Sequence, residues 1–162
     1  MNGWIVALFL VGPMVVVPLG LWLAPDPAGG TSQVVLRAAR WLSLPAGVAL
    51  LIAFAMPASA VAGLLSVPWL VMASLGALAA ALDASGANRD GRLLRPGIHH
   101  AMWAALLFLA VAAGNATADR LGLQPLGFAP VIILLTAVHF TFAGFALVLI
   151  GTLSHAARPG RA

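Results

Sequence analysis

Residues 41–82 read WLSLPAGVALLIAFAMPASAVAGLLSVPWLVMASLGALAAAL, forty-two positions without one charged side chain. A single helical crossing of a bilayer takes about 20 consecutive apolar residues. The stretch is therefore long enough for two crossings and the turn between them. Met56-Pro57-Ala58-Ser59-Ala60 is the natural break, because Pro57 lacks an amide donor and disfavours a helical conformation at Met56. The reading is a tight helical hairpin, about 36–57 and 61–82. Composition points the same way: of 162 residues, 62% are hydrophobic and 7% charged, whereas a soluble domain carries about 25% charged residues. A chain of this size leaves much of its surface exposed, so lipid must be the solvent for most of it.

Upstream, an apolar run at about 4–23 has no charge before Asp26. A secretory signal would carry basic residues ahead of its apolar core. Here Arg37 and Arg40 come after it, so a retained first helix is expected. Downstream, residues 83–97 form a polar loop with Asp83, Asn88, Arg89, Asp90, Arg92 and Arg95, punctuated by Gly86, Gly91 and Pro96-Gly97. A fourth helix follows at about 99–118, with Asp119, Arg120 and the Pro/Gly-bearing segment 122–130 as connector. A fifth runs over about 128–153, and the tail carries His155, Arg158 and Arg161. Residues 1–162 thus read as a single polytopic domain, an all-α integral membrane protein built as a bundle of five transmembrane helices.

The eight basic residues are all Arg and the four acidic ones all Asp. With the N-terminus outside, Arg37, Arg40, Arg89, Arg92, Arg95, Arg158 and Arg161 fall on the cytoplasmic side and only Arg120 on the exterior. Short loops obey the positive-inside rule, so the expected topology is N-terminus outside, C-terminus cytoplasmic. The arginines sit at helix ends, where they are expected to face anionic lipid, so the net charge of +4 implies no nucleic-acid partner. Absence of cysteine excludes disulfides, thiolate metal sites and a cysteine nucleophile.

Polar groups inside the membrane carry the functional reading, since side chains there need partners or a cavity. His139 lies about eleven residues into the fifth helix, near the midplane at about 1.5 Å per residue. Thr136, Ala143 and Ala146 leave room beside it. A nearly opposite stripe of Ala137, Thr141, Gly144 and Gly151 invites close helix approach, so the fifth helix is expected inside the bundle. His139, Asn115 and Thr136 are the candidate catalytic groups. His100, Trp103 and Trp69 are the candidate substrate contacts, Trp69 being the tryptophan that lies well inside a helix. The plainer alternative makes His139 a packing residue bonded to a neighbouring helix.

His100 and His155 lie too near the helix ends for a two-helix haem, and His139 is about four turns from His155 along its own helix. No metal or other cofactor is expected. No HExxH, Walker loop, GxSxG or mid-helix acidic residue appears, which argues against a carboxylate-relay transporter.

Thr136-Ala137-Val138-His139-Phe140-Thr141-Phe142-Ala143-Gly144-Phe145, with Val16-Val17-Pro18-Leu19-Gly20-Leu21 near the start, resembles the YndJ-like family of bacterial membrane proteins. The resemblance implies a multi-pass protein of the bacterial inner membrane and draws attention to His139. Family members often carry a second histidine two residues on, where this chain has Thr141, which weakens any metal reading further. It implies no reaction. The leading expectation is a polar site around His139 that performs acid–base chemistry of the isomerase or cyclase type on a lipid-soluble, isoprenoid-like molecule. The competing expectation is a non-catalytic component, an auxiliary subunit or small carrier. Five helices bundle alone, so a homo-oligomer is allowed and not required.

Overall fold

A computed structural model describes residues 11–27, 30–89 and 98–156 of the chain. Part of the expected first helix (4–10), the loop residues Asp90, Arg92 and Arg95, and the tail arginines Arg158 and Arg161 lie outside the described residues. The described chain forms five helical rods. The first, α1, is a π-helical turn Gly12–Val16 running into Val17–Leu23. Next come α2 (Gly30–Ala55), α3 (Ala60–Arg89) and α4 (Ile98–Arg120). The last, α5, runs through Pro130–His139, a π-helical Phe140–Ala146 and Leu147–Ala156. Four of these, α2 to α5, are long and apolar enough to cross a membrane, while the described part of α1 is shorter.

Pro57 does end α2, and the hairpin turn occupies only residues 56–59. The helices exceed their expected bounds elsewhere. α2 begins at Gly30, ahead of its expected start near residue 36. α3 continues past Leu82 to Arg89, because Ala84-Ser85-Gly86-Ala87-Asn88 contains no proline and one glycine costs a helix only about 1 kcal/mol. Asp83 is therefore a helical residue, not the first residue of a loop.

Each helix packs on its sequence neighbours, and α1 closes on both α2 and α5. The core runs through Leu36, Leu50, Trp69, Met72 and Leu109. Close approach depends on missing side chains. A Cβ on Gly47 would lie 2.8 Å from the carbonyl oxygen of Pro13, so α1 backbone rests directly on α2. A Cβ on Gly144 would lie 2.6 Å from the Cβ of Phe108, which is how α5 seats on α4. The expected small-residue stripe is buried at Ala137, Thr141 and Gly144. Its fourth member, Gly151, is exposed, and a Cβ there would meet nothing within 4 Å.

Two arginines expected to face lipid turn inward instead. The Nε and Nη2 of Arg40 donate to the carbonyls of Leu21 and Ala24, both at 2.8 Å, and its Nη1 donates to Asp26 at 2.7 Å. Arg120, 5% exposed, donates from Nε to Asp119 at 2.9 Å and from Nη1 to the carbonyls of Met56 (3.2 Å) and Ala53 (3.5 Å). Its guanidinium also lies 4.1 Å from the Phe54 ring centre. The backbone supplies the physical reason. The last carbonyls of a helix have no partner within it, and in an apolar surround a guanidinium is the best donor for them.

Candidate functional site

The most developed polar site gathers where α3 ends and α4 begins. Asp83 lies six residues before the end of α3 and is only 6% exposed. A carboxylate out of water is costly unless hydrogen-bonded. Two of its neighbours come from α4, where His99 and Trp103 are four residues apart and so share one face. The Trp103 Nε1–H donates to Asp83 Oδ2 at 3.0 Å, and His99 Nδ1 lies 3.7 Å from the same oxygen. His100, half-buried, packs its ring against Trp103 with centres 4.6 Å apart.

Over this group lies the connector between α1 and α2. Pro25 and Pro27 form one wall of a narrow cleft, and Leu36, Ala79, Met102 and Leu106 form others. Asp83, His99 and Trp103 supply its polar groups. The space inside is about 10 Å³, roughly what one water molecule requires. The connector is held by Arg40, which takes carbonyls at Leu21 and Ala24 as well as the carboxylate of Asp26. The Arg40 hydrogen bond holds the Asp26 carboxyl below its ordinary range. Chemically, the site offers an imidazole beside a carboxylate that is itself fixed by an indole. Such a pair can take up, hold and return a proton. No group of three His, Cys, Asp or Glu side chains is placed to hold a metal among the described residues.

Of the residues singled out from sequence, the structure brings His100 and Trp103 into this site. Trp69 does not join them. It is 1% exposed in the bundle core and fourteen residues before Asp83, about 21 Å along the helix. Asn115 and Thr136 each bond to their own helix, Asn115 Nδ2 to the Val111 carbonyl at 2.9 Å and Thr136 Oγ1 to the Ile132 carbonyl at 2.8 Å. His139 is exposed on the outer side of α5, because the stripe of Ala137, Thr141 and Gly144 takes the packed side. Its ring stands edge-on to Phe140 at 5.5 Å, and it makes no hydrogen bond among the described residues.

Asp83 and His99 were the partners that sequence reasoning missed. Both read as members of a solvated loop or an interfacial helix start. The available signal was the absence of any strong helix breaker after Leu82, which lets α3 carry an aspartate back into the bundle.

A family model described as YndJ-like protein matches residues 7–162. No curated protein and no solved structure is matched.

Proposed function

Starting from the premise that the chain belongs to the YndJ-like family and carries four helices able to span a bilayer, we propose a multi-pass protein of the bacterial inner membrane whose working site is the Asp83–His99 pair. The N-terminus lies outside and the C-terminus in the cytoplasm, which puts this pair at the cytoplasmic interface. There it exchanges a proton with the polar end of a small membrane-soluble molecule. The observation that carries this reading is the buried Asp83 carboxylate, bonded by Trp103 and faced by His99. An ionisable group within a membrane bundle marks a functional site by default. A cleft of about 10 Å³ admits no isoprenoid body. The bulk of such a molecule stays in lipid and only its polar end reaches the pair, with the Pro25–Pro27 connector as the element that gives way.

The test is comparative analysis of lipid-soluble extracts from a strain lacking this protein. Wild type restores the altered extract. Asp83→Asn and His99→Ala accumulate in the membrane at wild-type level and do not restore it. Full restoration by both variants ends the acid–base reading. A second reading, a non-catalytic membrane component, is favoured by the outward-facing position of His139, away from the bundle interior. Under that reading the Asp83–Trp103 bond only fastens α3 to α4, and Asp83→Asn reduces accumulation in the membrane instead.

A further inference from the structure

His139 is nine residues into α5, about 14 Å along a helix that crosses a hydrocarbon core of about 30 Å. The outer side of α5 also carries Ile132, Leu135, Leu147 and Ile150, all well exposed. An imidazole in that position faces acyl chains, where a polar group without a hydrogen bond is costly. The alternative open to a midplane histidine is a polar partner from outside this chain.

We propose that the outer side of α5 is the interface of a parallel homodimer, in which the His139 imidazoles of two copies hydrogen-bond across a two-fold axis along the membrane normal. Three observations carry it, and none depends on the Asp83 site. The first is depth. A two-fold axis along the normal sets each residue of one copy at the same depth as its counterpart, so a midplane histidine meets a midplane histidine. A neutral imidazole has one donor and one acceptor, which makes the pair self-complementary. Two aspartates or two arginines at that position would repel.

The second observation is shape. A groove of about 170 Å³ runs between α1 and α5 beside the same stripe, with Leu19, Leu23 and Leu153 among its apolar walls. Next to it stands the ridge of Leu147, one of the most exposed large side chains of α5 at 64%. A ridge and a groove side by side on one surface are what an isologous contact needs. The third is clearance. Gly151, three turns beyond His139, is exposed with open space where a side chain would begin. Small residues of this kind let membrane helices approach closely.

The chain has no cysteine, so single cysteines report directly on the contact. Leu135→Cys and Leu147→Cys are oxidised in native membranes alongside Leu64→Cys, an exposed position on α3, with His139 intact in all three. The expected result is a band of twice the chain mass from the two α5 positions, several-fold above the α3 control. In the Leu147→Cys background, His139→Leu lowers that band several-fold. His139→Gln, which keeps a donor and an acceptor, retains most of it. α5 yields no greater than the α3 control would mean the face meets lipid, and would overturn the proposal. A band of another mass, from a different membrane protein, overturns it equally. Crosslinking unchanged in His139→Leu removes the imidazole pair as its cause.

Discussion

Replacing Arg120 by methionine should destabilise the protein far more than replacing Arg120 and Asp119 together. The guanidinium touches the Asp119 carboxylate with two nitrogens, two backbone carbonyls at the end of α2 and its connector, and the face of Phe54. Asp119 is 6% exposed. In Arg120→Met, that carboxylate keeps its burial and loses its counterion, and breaking one side of a buried pair costs about 3–5 kcal/mol. The double variant Asp119→Leu/Arg120→Met removes the stranded charge. What remains is the loss of donors to Ala53 and Met56, about 1 kcal/mol in total if each long contact contributes the lower end of a typical hydrogen bond. The double variant should therefore recover more than half of the loss. Reversible unfolding in bilayer-like mixed micelles, titrated with a denaturing detergent, reads both values on one scale. A single-variant cost below about 1 kcal/mol would show that water reaches the pair and solvates it. A double variant as unstable as the single one would show that the carbonyl contacts, not the stranded charge, carry the energy.

Gly144→Val places a Cβ 2.6 Å from the Cβ of Phe108 and should cost about 1–3 kcal/mol by overpacking, seen as a lower melting temperature of detergent-purified protein. Asn115→Ala and Thr136→Ala remove only bonds to their own helices. Each should leave unfolding within about 0.5 kcal/mol of wild type and leave the lipid-soluble extract unchanged; an altered extract would return them to the site. Asp26 has its carboxyl lowered from an ordinary value of 3.8, chiefly by the Arg40 hydrogen bond. Its contribution to stability is therefore present above that value and is lost as pH falls through the lowered one. Acid titration of the fluorescence of the neighbouring Trp22–Trp41 pair should show a step below pH 3.8 that Asp26→Asn abolishes. Arg40→Lys keeps the charge and loses the planar fork, so reporter fusions should show unchanged topology while the same protein melts lower.

What the sequence makes legible is whatever depends on hydropathy and proline. The 41–82 run places the hairpin, and Pro57 ends α2 where a missing amide must end it. Ala137, Thr141 and Gly144 are legible as a packing stripe, since small residues at helical spacing have one principal use in a membrane. Which side of α5 faces outward is not legible. Two faces of that helix carry small residues, and the one bearing His139 could be assigned to the interior only by assuming that a polar group seeks it. Helix α5 also contains the π-helical segment Phe140–Ala146. Its wider turn changes which residues line up beyond His139, so strict 3.6-residue counting loses the register there. Asp83 was hidden for another reason. A charge at the end of an apolar run is the usual mark of a boundary, and the tertiary contacts with Trp103 and His99 that receive this one are not visible in any local pattern.

The arginines serve two stages of the protein's life, and counting them bears only on the first. During insertion the chain is read as loops, and a basic residue near a span biases orientation wherever it later packs. In the folded bundle, Arg40 and Arg120 form the same arrangement at opposite ends. Each donates to carbonyls at the C-terminal end of a helix other than its own, α1 for Arg40 and α2 for Arg120. Each is also paired with an aspartate, Asp26 or Asp119. A cation there also meets the negative end of the helix dipole. The two pairs differ in burial. The Arg40 latch is half open to solvent on its aspartate side, with Asp26 52% exposed, whereas Arg120 and Asp119 are both enclosed. Screening by water weakens the first and not the second. The end of the bundle that carries Asp83 and His99 is thus closed by the weaker fastening, and the opposite end by the stronger. A connector that has to yield for a molecule to reach Asp83 is therefore on the side where yielding costs least.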